Sequence, residues 1–135
     1  MTVVIRGKDL KGMTKEGEPG PIHYGIYDEK VENPKIVLGH TILPPGAGRS
    51  RLHYHANCNV GQYIIKGRIR SFIGPDHDRK EFDLGPGDFL FIPQGEIHGS
   101  QNLLDNEPSE LIFCYTGVNN RHEAKTMYVE PPVKR

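Results

Sequence analysis

The chain has 135 residues and a mass of 15.2 kDa, with 17 basic and 17 acidic side chains, no formal net charge and a pI near 7.1. That length has room for one domain, residues 1–135, and 36% hydrophobic with 25% charged residues excludes a disordered chain or a disulfide-held scaffold. Balanced charge also excludes the basic footprint that non-specific nucleic-acid binding requires.

Sixteen glycines and 11 prolines are spread along the whole chain and cut it into short segments rich in β-branched and aromatic residues. In chain order the predicted strands are Thr2–Arg6, Ile22–Tyr27, Lys35–Leu43, Arg51–His55, Gly61–Lys66, Ile69–Ile73, Glu81–Leu84, Asp88–Pro93, Glu110–Thr116 and Thr126–Val129. None is long enough for an extended helix, and no run approaches the roughly 18 apolar residues of a membrane span. No secretory or transit segment is legible, so the cytoplasm is the expected compartment, with Cys58 and Cys114 as free thiols. Many short strands in one small domain fit a closed barrel or a double-sheet jelly roll, and composition does not choose between them. Phe89-Leu90-Phe91-Ile92 and Leu111-Ile112-Phe113-Cys114 are apolar on both faces, which implies a covered outer face and points to a homodimer; Phe89 and Phe91 are expected to fill the core.

Seven histidines are present, and two of them, His53 and His55, occupy alternate positions of a strand-like stretch that sends both rings to one face. A lone His-x-His is a weak signal, but Gly87 to Asn102 adds a strand entered through a tight turn, followed by a Pro-x-Gly turn that delivers His98. With Gly87, Pro93, Gly95, His98 and Asn102 at its defining positions, this segment resembles the second motif of the cupin superfamily. Residues 46–67, with His53, His55 and Gly67, resemble the first motif. It departs from the pattern at Ala47, where Gly46 and Gly48 flank the usual leading glycine, and at Val60, where an acidic metal ligand is usual.

The resemblance implies an all-β fold, a small β-barrel of jelly-roll topology, with a divalent metal held by His53, His55 and His98. Gln62 shares the inward face with Val60 and is the best substitute ligand; Asn57, Cys58 and Asn59 are weaker ones. Neutral imidazoles suit Fe(II), Ni(II), Zn(II), Mn(II) or Cu(II) and leave positions open for substrate. Three-histidine iron sites among cupins resemble those of dioxygenases, so a mononuclear non-haem Fe(II) dioxygenase acting on a small anionic or enolisable chelator is the expectation. A non-catalytic binding or sensing protein and a redox-neutral lyase or isomerase are the alternatives. Around the metal, Arg51 shares the parity of the two histidines and would clamp a carboxylate or sit solvated at the rim. Arg49 continues that parity. Tyr115 is a candidate donor or general acid, and Glu96 a candidate acid or base. His40 would face the cavity on one choice of strand parity and otherwise reads as a hydrogen-bonded core histidine, and His23, His77 and His122 receive no role.

Overall fold

In the computed structural model, residues 1–14 and 18–130 are described. Ten strands form: β1 (Ile22–Ile26), β2 (Ile36–Leu43), β3 (His53–His55), β4 (Val60–Lys66), β5 (Ile69–Ile73), β6 (Lys80–Leu84), β7 (Phe89–Ile92), β8 (His98–Asn102), β9 (Ser109–Thr116) and β10 (Thr126–Tyr128). They pair into two five-stranded antiparallel sheets, ordered β1-β2-β9-β4-β7 and β10-β3-β8-β5-β6. Two sheets rather than one continuous ring make this a double-sheet jelly roll in pairing, the second of the two expected architectures. No helix among the described residues is long and apolar enough to cross a membrane.

Alternation along each strand explains the layering. In β9, Ser109, Leu111, Phe113 and Tyr115 are buried while the residues between them are not, and β2 and β5 show the same period of two. The inward residues of both sheets form one core, with Val37, Leu43, Ile64 and Ile69 among its most buried members. In β7 the parity is the reverse of that expected. Ile92 is buried and Leu90 packs against the core, whereas Phe89 and Phe91 are 78% and 61% exposed on the outer face. A strand apolar on both faces carries no alternation from which its inward face can be read. The predicted strand over Thr2–Arg6 is also absent: the segment is coil, with Val3 and Val4 exposed, because no neighbouring strand offers it a ladder.

The sheet ends are tied together by one buried amide. Asn102 donates through Nδ2 to the carbonyls of Leu43 and Glu107, at 3.0 and 2.8 Å, and accepts through Oδ1 from the Ser109 hydroxyl and the Leu104 N–H, at 2.7 and 2.9 Å. All four bonds of one side chain are therefore made across β2, β8, β9 and the β8–β9 loop. Ser109 in turn accepts from the Arg68 N–H. Gly67 makes this close packing possible, with φ +88° and a backbone so near Ser109 that a Cβ would collide with it. Gly87 and Gly95 likewise have φ of +93° and +84°, as their turn positions require. Replacing Asn102 by alanine leaves several buried partners unsatisfied, so Asn102→Ala is expected to lower the unfolding free energy by about 3 kcal/mol. Urea denaturation followed by circular dichroism measures that loss; a change below about 1 kcal/mol removes Asn102 from this role.

Candidate metal centre

His53 and His55 are successive inward residues of β3, and His98 opens β8 directly opposite His53 in the antiparallel ladder. This register brings together two rings from one motif and one from the other. Ring centroids lie 4.4 Å apart for His53 and His98, and 5.1 Å apart for His55 with each of the other two. All three residues are buried, and they can offer one nitrogen each with every pair of those nitrogens within 4.8 Å. Among the described residues this is the single cluster of His, Cys, Asp or Glu that meets that separation.

Backbone and hydroxyl groups fix the rings. The Nδ1–H of His53 donates to the Arg51 carbonyl at 2.7 Å, and that of His98 donates to the Glu96 carbonyl at 2.9 Å. Each bond reaches back two residues along the chain and makes Nε2 the lone-pair nitrogen, which is the tautomer a metal needs. His55 Nδ1 is held by the Thr126 hydroxyl at 3.0 Å, so β10 contributes to the ligand set without supplying a ligand. Burial lowers the pKa of His98, opposed by its bond to the Glu96 carbonyl, and keeps the imidazole neutral.

The rings face a cavity of about 60 Å³ whose other walls include Val60, Gln62, Phe113 and Tyr115 from the first sheet and Ser71 and Ser100 from the second. Val60, at the position of the usual acidic ligand, is buried in this wall. Gln62 also lines it, and its Oε1 is a buried acceptor with no hydrogen-bond partner in the protein. A buried orphan oxygen beside three imidazoles fits a cation or a ligand O–H in the cavity. Tyr115 packs its ring 4.9 Å from that of His55, and burial pushes its hydroxyl pKa well above the usual phenol value, so it is a neutral donor.

Two expected cavity residues are elsewhere. Arg51 Nε donates to the Glu130 carbonyl at 2.8 Å while the guanidinium carbon stacks 4.0 Å over the Tyr128 ring. Arg49 makes a bidentate pair with the Glu130 carboxylate, which also accepts from the Leu52 N–H at 2.7 Å. Burial works against the charge of Glu130, but Arg49 and the Leu52 N–H outweigh it and hold the carboxyl below its usual range. Because β3 begins at His53, the parity argument does not extend to either arginine, and the C-terminal segment claims both. The side chain of Glu96 is likewise absent from the cavity lining; the residue serves the site through its carbonyl. His40 is neither in the core nor at the cavity: it falls on the outer-facing parity of β2, bonded to Glu110 at 2.7 Å and stacked with His23. Cys58 is buried and its thiol is pushed up to about 11 by that burial and by neighbouring Cys114. The cavity also includes a residue that sequence reasoning missed, Glu18, which reaches the wall from a Gly- and Pro-rich stretch with no strand periodicity.

The cupin domain family matches residues 39–115, more than half of the chain. No curated protein matches significantly. Among solved structures, the chain is similar to Bacillus subtilis oxalate decarboxylase at pH 4.6, with 20% identity and a TM-score of 0.76 over 96% of this chain and 33% of that one. It is also similar to the formate complex of Lactobacillus farciminis oxalate decarboxylase, with 21% identity and a TM-score of 0.73 over 90% of this chain and 34% of the other. A further structure of the Bacillus subtilis enzyme, from a study of its Mn(II) centres, aligns at 20% identity and a TM-score of 0.75 over 96% of this chain and 33% of that one. The chain thus spans about a third of the length of these neighbours, and at such identity the likeness is one of fold.

The lowered pKa of His98 gives the metal-free protein a definite pH response. A native pKa below the unfolded imidazole value of about 6.5 means that the unfolded chain binds more protons, so this contribution is present above that pH and is lost as pH falls through the native value. Melting temperature of metal-free protein is expected to fall below about pH 6.5, with a shallower fall in His98→Gln. Equal slopes for the two proteins contradict the assignment. With its family model matched over residues 39–115 and three imidazoles gathered on neighbouring strands, the chain belongs to the cupin domain family.

Proposed function

We propose that this protein is a metal-dependent cupin enzyme in which His53, His55 and His98 hold one divalent ion beside a small chelating substrate. The observation that carries the reading is the cluster of three buried imidazoles, with two of them fixed through Nδ1–H to carbonyls of their own chain. Val60 contributes no charge where an acidic ligand is usual, so the donor set is neutral and a bound ion keeps its full positive charge for the substrate. Fe(II) is the ion and dioxygenation of an anionic or enolisable chelator is the reaction; the iron supplies Lewis acidity and electron exchange with O2.

The chain's own groups bind, orient and keep the site dry. Gln62 Oε1 accepts a proton donor from the substrate or takes the place of a fourth ligand. The Tyr115 hydroxyl, held neutral by burial, donates to a substrate oxygen. Val60, Ile92, Leu111 and Phe113 exclude bulk water. Arg51 and Glu96 position the ligand rings through their carbonyls.

A redox-neutral lyase is the second reading, favoured by one finding: the similar structures are named oxalate decarboxylases, one with Mn(II) centres. Protein purified without chelators is expected to carry near-stoichiometric iron by elemental analysis, lost in His53→Ala/His98→Ala. Diketones, thiols and hydroxylated aromatics are then screened for iron-dependent O2 uptake. Mn(II) with turnover that proceeds equally without O2 establishes the lyase instead. Ligand-induced thermal stabilisation with no turnover reduces the protein to a binding module.

The same reading includes a homodimer. The outer face of the first sheet presents Tyr63, Phe89 and Phe91 beside a recess lined by Leu38, Gly61, Ile112 and Cys114. A Cβ at Gly61 would meet nothing within 4 Å, so the recess is open. Knob and hole on one patch are self-complementary, which fits a second copy related by a twofold axis. Light scattering is expected to give twice the chain mass, and half that value for Phe89→Glu/Phe91→Glu; a monomeric parent protein rules the dimer out. A cytoplasmic setting is supported by the two free cysteines.

A further inference from the structure

Beside β1, the loops that carry Asp28 and Asn120 frame a second cavity, of about 540 Å³, whose described lining shares no residue with that of the metal site. Met13, Tyr24, Tyr27, Asp28, Glu29 and Arg121 line it, and Asn120 and the exposed His122 complete the described wall. The two loops are stitched together. The Asp28 N–H donates to the Asn119 carbonyl at 2.8 Å, Asn120 Nδ2 to Asp28 Oδ2 at 2.7 Å, and the Lys35 N–H to Asn119 Oδ1 at 2.8 Å. The cavity is therefore formed before any ligand arrives.

Unlike charges of this lining act at different rings. Tyr24 is 7% exposed, and its hydroxyl is buried with no hydrogen-bond partner among the described residues. Burial pushes that phenol up to about 12; the Arg121 guanidinium works against the rise, while Glu18 and Tyr128, outside the described lining, add to it. Arg121 is half-buried, and its side chain makes no hydrogen bond or ion pair with a described residue. The Tyr27 ring, 6.0 Å from that of Tyr24, marks the acidic end. Its hydroxyl donates to Glu29 Oε2 at 2.9 Å, and burial, that bond and the charges of Glu29 and Asp28 raise its pKa. Tyr27 and Asn120 each engage one oxygen of these two carboxylates, which leaves the other oxygen of each as an acceptor.

We propose that this cavity binds a free α-amino acid with an apolar side chain, its carboxylate taken by Arg121 and the Tyr24 hydroxyl and its ammonium by Asp28 and Glu29. A guanidinium and a phenol O–H are donors suited to a carboxylate, and carboxylates accept from an ammonium. A simple anion gains Arg121 but meets two acids, and a simple amine gains the acids but meets Arg121; a zwitterion satisfies both ends. Met13 and the two tyrosine rings offer apolar surface to the side chain. The site is separate from the three histidines and does not depend on the metal-centre reading.

L-phenylalanine, 3-phenylpropanoate and 2-phenylethylamine share one skeleton and differ in the charges they carry. Each is titrated into full-length protein by calorimetry. L-phenylalanine is expected to bind with a Kd below about 1 mM, and each singly charged analogue about tenfold more weakly. In Arg121→Gln its affinity is expected to fall about tenfold, the size of one charge-assisted hydrogen bond. Tyr24→Phe removes a hydroxyl that has no described partner, so it is expected to melt no lower than the parent while binding L-phenylalanine about threefold more weakly. No binding of L-phenylalanine up to about 10 mM, or an affinity unchanged in Arg121→Gln, overturns the proposal. So does either analogue binding as tightly as L-phenylalanine, which makes the cavity a site for a single charge.

Discussion

The site depends on a single rung of the second sheet, the pairing of His53 with His98 across β3 and β8. β3 is three residues long, and this is the one pair it makes with β8. Its other side is held by β10 through three pairs, and the segment after β10 is held in turn by Glu130, which ties Arg49, Arg51 and Leu52 together. A one-residue slip in β3 would send both His53 and His55 to the outer face, because strand side chains alternate. The register of the ligand strand is thus maintained from the far end of the chain, by contacts that have no chemistry of their own.

Two effects act on the rings, and at His98 burial outweighs the carbonyl bond, which favours the charged form. Carbonyl bonds at Nδ1 choose the tautomer, and burial opposes the charged form of His98. A carboxylate at the position of Val60 would favour protonated histidines in the metal-free protein; valine removes that competition. The same substitution leaves the wall beside the rings apolar, so that the orphan oxygen of Gln62 becomes its main polar feature on that side.

Most of the sheet framework and the gathering of His53, His55 and His98 were legible in the chain, because they rest on local signals. The period of two in β2, β5 and β9, glycines where φ is positive, and Asn102 four residues after His98 each require only a short window of residues. What was not legible depended on contacts distant in sequence. Arg51 has the right spacing for the cavity, but Glu130 and Tyr128 take its guanidinium, and the strand begins too late for the spacing to apply. Phe89 and Phe91 lie in a strand whose two faces are equally apolar, so nothing in Phe89-Leu90-Phe91-Ile92 says which pair turns inward. Thr2–Arg6 has strand composition without a partner strand, and composition alone makes no ladder. Glu18 lies among residues that read as a turn, with no periodicity that would bring it to the cavity wall.

Gly20 is buried so close to the Ile42 carbonyl and the Pro44 ring that no Cβ fits, which holds the chain just after Glu18 against β2. The imidazoles belong to strands whose positions are set by sheet registry and a packed interior, and little can change there without cost to folding. Glu18 belongs to neither sheet and is pinned just behind itself, at Gly20. A change confined to the Glu18 side chain therefore leaves untouched the His53–His98 rung that gathers the rings.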